Sequence, residues 1–114
     1  MEYCSDFRYD LKVGNIKEEE LANIFANEKI EVKHDRLSLD TGNIFVEYES
    51  RGKASGIART EAKYYCWAFG DTFHIIKTKD LKERCRKHLG TDRDILGGDN
   101  NSSKGILLPI TELF

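Results

Sequence analysis

Four carboxylates draw the eye by their spacing: Glu31 and Asp35 in one short segment, Glu47 and Glu49 in the next, with 12 positions from Asp35 to Glu47. In an extended chain alternate residues share a face. IEVKHD (30–35) therefore puts Glu31, Lys33 and Asp35 opposite Ile30, Val32 and His34. In the same way, IFVEYE (44–49) puts Phe45, Glu47 and Glu49 opposite Ile44, Val46 and Tyr48. If the two segments pair as an antiparallel hairpin, four acids crowd a small area with Lys33 as the base among them. Like charges facing across strands repel. A hard divalent cation such as magnesium resolves that conflict, because it takes oxygens from one or two carboxylates together with water and phosphate.

The charge distribution points the same way. Residues 1–50 hold 6 basic and 12 acidic side chains, whereas 51–114 hold 12 basic and 8 acidic. A region suited to a cation thus adjoins one suited to a polyanion.

Elements must position these groups. In KEEELANIFAN (17–27), Leu21, Ile24 and Phe25 recur at helical spacing, with Asn15 as cap and acids in the dipole-favoured first turn. Strands over Ile30–Asp35 and Ile44–Glu49 follow. SRGKASG (50–56) is small and turn-like, and a short helix is expected from Ile57 to about Tyr64. Tyr65–Phe69 and Phe73–Lys77 read as a hairpin around 70–72. Thr78 is placed to cap a helix over 79–89 that Gly90 closes. Residues 91–105, with GGDNNSSKG, read as a flexible loop before a last apolar run, Ile106–Pro109. This order predicts one α/β (α+β) domain over 1–114, a single mixed sheet with flanking helices.

Hydrophobic residues at 39% and charged residues at 33% exclude a disordered chain. No apolar run nears the roughly 20 residues of a membrane helix, and the N-terminus lacks a basic start and apolar stretch, so neither membrane nor secretion is expected. Cys4, Cys66 and Cys85 are odd in number and widely spread, which points to free thiols in the reducing cytoplasm. Cys85 and His88 lack the second close pair that a zinc site needs. The three histidines, His34, His74 and His88, show no partner pattern for a serine or cysteine nucleophile.

Glu18-x-x-Leu21-Ala22, Ile24-Phe25, Asp35 and Glu47-Tyr48-Glu49 together resemble the core of the PD-(D/E)XK nucleases, the superfamily of restriction endonucleases and Holliday-junction resolvases. The likeness spans about residues 17–77 and implies a restriction-endonuclease-like core. It assigns Asp35 and Glu47 as ligands of magnesium or manganese, with the Tyr48 carbonyl as a further ligand and Glu18 as the helix acid; Glu20 is held in reserve. The family's lysine slot holds Glu49, giving Glu-x-Glu, a variation known in some restriction endonucleases. Lys33 or Lys63 would then bring the positive charge, and Glu49 or Lys33 would orient or deprotonate the water. Asp40, seven residues before Glu47, is a rival for Asp35.

The resemblance implies metal-dependent hydrolysis of phosphodiester bonds in DNA, and a homodimer as in junction resolvases. Arg51, Lys53, Ser55, Arg59 and Lys63 directly follow the Glu47 strand. Their bases and small residues suit contact with phosphates. The alternative is a non-catalytic nucleic-acid-binding module, with Glu49 marking a lost active site. The bases on 79–89 look scattered around that helix, as on a solvated one.

Overall fold

The computed structural model describes residues 10–13, 17–26, 29–34, 38–69 and 72–113. Strand β1 (Asp10–Val13) precedes helix α1 (Glu18–Ala26), strand β2 (Ile30–His34) and a one-turn helix α2 (Ser38–Thr41). Strands β3 (Asn43–Ser50) and β4 (Lys53–Ala54) lead into a 3-10 turn (Gly56–Ala58), then strands β5 (Tyr64–Phe69) and β6 (Thr72–Lys77). Helix α3 (Thr78–Arg86), strand β7 (Asp94–Gly97), strand β8 (Ser103–Pro109) and a 3-10 turn (Ile110–Leu113) complete the order. None of the described helices is long and apolar enough to cross a membrane.

The α/β class agrees with the sequence, but the strands make two sheets instead of one. Their orders are β1-β6-β5-β2 and β4-β3-β8-β7. In the first, β5 and β6 pair antiparallel as expected, and β1 and β2 add to them in parallel. The second is antiparallel throughout.

The β2–β3 hairpin therefore does not form. Ile30 to His34 run beside Tyr64 to Ala68, while β3 lies between β4 and β8. The reason is partner matching. Ile44 and Val46 are buried and need an equally apolar neighbour, which Ile106 and Leu108 of β8 supply. By contrast, β2 carries exposed Val32 and His34 and a Glu31–Lys33 ion pair of 3.7 Å, the composition of a charged edge strand. Separation also spares the acids of the two strands from direct opposition.

One face of the first sheet packs on α1 through Ile24, Tyr64, Cys66 and Ile75. Its other face contributes Tyr65, Trp67 and Ile76 to a larger core with Ile44, Val46, Ile106 and Leu108 of the second sheet and Leu81 and Cys85 of α3. The aromatic run 64–67 is thus packing, as its composition suggests.

Three local expectations change. The helix from Ile57 shrinks to one 3-10 turn, because Tyr64 already belongs to β5. Thr78 begins α3 without capping it; its hydroxyl donates to the Ala62 carbonyl at 2.9 Å and ties the helix to the segment before β5. The glycine-rich stretch 91–105 contains β7 and the start of β8, with Leu96 opposite Lys104 and Gly97 opposite Ser103. Phe45 explains two of its glycines. Its ring lies over them on the outer face, and a Cβ would come within 2.9 Å of that ring at Gly97 and 2.5 Å at Gly105. Asn15, Asp35 and the 70–71 part of the hairpin turn lie outside the described residues.

Candidate functional site

Among the described residues, three of the carboxylates singled out by the sequence, Glu31, Glu47 and Glu49, each have a separate partner. Glu47 accepts a hydrogen bond from the Ser55 hydroxyl at 2.8 Å. Glu49 sits 3.8 Å from Lys104, and Glu31 is paired with Lys33. Glu18 is exposed at the start of α1. The helix acid that faces the sheet is Glu20, which accepts from the Tyr64 hydroxyl at 3.2 Å and lies 3.5 Å from Lys77. Desolvation opposes its charge, but Tyr64 and Lys77 outweigh it and hold the carboxyl below its ordinary value.

The β3–β8 register shifts between Glu47 and Glu49, which face Gly105 and Lys104, and leaves Tyr48 as the extra residue between them. Beyond it, Ser50 pairs with Lys53 across Arg51 (φ 51°) and Gly52 (φ 80°), two positive angles that make a type I′ hairpin turn. The chain then folds back onto β3. The Ser55 N–H donates to the Tyr48 carbonyl at 3.0 Å, and a Cβ on Gly56 would sit 2.2 Å from the Glu47 carbonyl oxygen. Glycine is required there. Ser55 is consequently spent on β3, and the Tyr48 carbonyl already accepts one donor.

Among the described residues, no three His, Cys, Asp or Glu side chains gather closely enough to hold a metal ion. As described, Glu47, Glu49 and Glu18 do not assemble into a ligand set for magnesium or manganese. Among the described acids, Glu31, Glu47 and Glu49 are met by Lys33, Ser55 and Lys104.

Tyr48 has a different occupation. Its hydroxyl donates to Asp94 Oδ1 at 2.6 Å, and Asp94 Oδ2 accepts from the Gly90 N–H at 2.9 Å. This bond, with burial and nearby charge, pushes the phenol up to about 12. The ring is thereby fixed as one wall of a cleft of about 290 Å³ between the 3-10 turn, α3 and β8. Ile57, Ala58, Cys85, Leu89 and Ile106 line it, and Lys82 and Arg86 bring its charge. The Cys85 thiol is also pushed up to about 12, by burial and then Glu112, and stays protonated and unreactive.

The bases on α3 are more ordered than a scattered set. At 100° per residue, Lys79, Lys82 and Arg86 fall within an arc of about 60°, at spacings of i, i+3 and i+7 that were legible in the sequence. Arg84 donates to the Asp80 carbonyl at 3.1 Å and Lys87 lies 3.7 Å from Glu112, and both line a separate groove with Glu83. Lys82 is shared with a neighbouring cleft that Lys63, Lys77 and Lys79 line, so one basic band runs past both clefts. Five other lysines are paired: Lys29 with Glu61, Lys33 with Glu31, Lys77 with Glu20, Lys87 with Glu112 and Lys104 with Glu49. Among the described residues, the side chains of Lys79, Lys82 and Arg86 have no such partner.

Of the sequence-expected basic contacts, Arg51 and Lys53 are exposed at the hairpin turn, and Arg59 and Lys63 are exposed further along. Arg59 follows Ala58 of the cleft wall. Comparison with family models, with curated proteins and with solved structures finds no match to this chain.

Proposed function

We propose that this chain is a nucleic-acid-binding module that grips DNA phosphates along α3. The observation that carries the reading is the stripe of Lys79, Lys82 and Arg86, aligned on one helix face with no acid partner among the described residues, whereas Lys29, Lys33, Lys77, Lys87 and Lys104 each have one. The stripe spans about 10 Å, about three nucleotide rises along one strand. Uncompensated bases held on a rigid helix bind phosphates by releasing counterions, whatever the base sequence. Arg59 extends the surface from the 3-10 turn.

Charge removal tests it. The triple variant Lys79→Gln, Lys82→Gln and Arg86→Gln should weaken binding to every DNA sequence alike, and should lower the slope of log affinity against log salt by about two to three. Unchanged affinity and slope would remove the stripe from the interface.

A second reading, magnesium-dependent cleavage of DNA, has one observation in its favour. Glu31 and Glu47, from different sheets, both lie near enough to Tyr65 to add, with Cys85, to the rise of its phenol that burial dominates and a Thr60 hydrogen bond opposes. Manganese titration of the wild type and Glu47→Gln, together with a magnesium-dependent nicking assay, tests it. Equal manganese affinity in both and no nicking would end this reading.

A further inference from the structure

We infer that the cleft beside the basic stripe receives an unstacked nucleobase, so that the chain prefers single-stranded DNA to duplex. The inference rests on the DNA-binding reading and names its substrate class. Lys82 and Arg86 belong both to the stripe and to the cleft wall. A phosphate held between them therefore sits at the cleft's mouth, and its own base is the nearest apolar group to enter. The interior suits a base face. Tyr48 is a ring locked in place by Asp94 and packed against the core, while Ile57, Ile106 and Leu89 supply apolar walls.

Leu89 is 51% exposed, a large hydrophobic side chain left uncovered at this site. Stacking on a fixed aromatic ring rewards any base, since every base has a π face. A duplex keeps its bases stacked and paired, so it reaches the bases of α3 but leaves the cleft unfilled. Charge complementarity thus selects a polyanion, and the apolar cleft within reach of the same two cations selects one with free bases.

The test compares a labelled thymine oligonucleotide with a duplex of equal length at one salt concentration. A second oligonucleotide with a fluorescent purine reports insertion directly. The expected result is single-strand binding at least about tenfold tighter, with a change in purine emission on binding. Tyr48→Ala should bring single-strand affinity down to that of the duplex, and Tyr48→Phe, which keeps the ring, should retain the preference. Leu89→Asn, at an exposed position, should erode the preference even if Tyr48→Ala fails to fold.

Equal, salt-sensitive affinity for both forms overturns base insertion and leaves the DNA-binding reading standing. Salt-insensitive or absent binding to both overturns that reading as well. Capture of an acidic peptide bearing an aromatic anchor, with no affinity for the thymine oligonucleotide, assigns the cleft to protein and overturns the inference.

Discussion

Tyr48 and Asp94 show how one hydrogen bond can set behaviour at both ends of the pH scale. The folded chain keeps the phenolic proton up to about 12, whereas an unfolded chain surrenders it near 10. The stability this adds is whole below about pH 10 and is lost as pH climbs through 12. Asp94 works in the opposite direction. Tyr48 and the Gly90 N–H hold its carboxyl below the usual value, so its share is complete above about pH 4 and is lost as pH falls through the lowered value. Tyr48→Phe should cost about 1 kcal/mol at neutral pH and flatten the alkaline loss. Denaturant titrations at several pH values check this, and an unchanged alkaline limb would refute it. None of this was readable beforehand, because 46 positions separate the two residues and the sequence assigns Tyr48 only through its carbonyl.

At the scale of elements, periodicity served well where it acts locally. The apolar repeat in 17–27, the alternation in 30–35 and 44–49 and the aromatic strands at 65–69 and 73–77 all appear within a residue or two of their expected bounds. Partner choice did not follow, because it depends on which distant strand has a matching face. β3 found β8 across some 60 positions of chain, and although Ile106–Pro109 was expected as a last apolar run, the start of β8 and all of β7 were hidden in a stretch whose glycines look like a loop. Two of those glycines, Gly97 and Gly105, make room for Phe45. At Gly105 an added Cβ would meet the Val46 carbonyl oxygen at 2.8 Å as well as the ring, whereas at Gly97 it meets the ring alone. Gly97→Ala should therefore be largely rescued by Phe45→Ala, and Gly105→Ala only in part. A double-mutant cycle in chemical denaturation measures both couplings; equal rescue would refute the distinction. The candidate site was half legible for the same reason: the α3 spacing was in view, but which acids neutralise which bases emerges from the tertiary fold.

Across the whole molecule, a single core cluster joins both sheets to α3. Leu81, fully buried there, should cost about 2–5 kcal/mol when cut to alanine. Both sheets should still unfold in one step, as seen by coincident far-ultraviolet dichroism and Trp67 fluorescence; separate transitions would show that the sheets are independent. The strand orders carry a consequence for how the protein emerges during synthesis. The first sheet has all its strands once Lys77 has left the ribosome, but β3 waits for β8, which ends at Pro109. Over that interval Tyr65, Trp67 and Ile76 have no second sheet to cover them, and a nascent chain exposes an aromatic surface of the kind that chaperones bind. Chains stalled with only 102 residues outside the tunnel should bind a hydrophobic dye and be cut readily by protease, whereas chains extended past Leu113 should do neither.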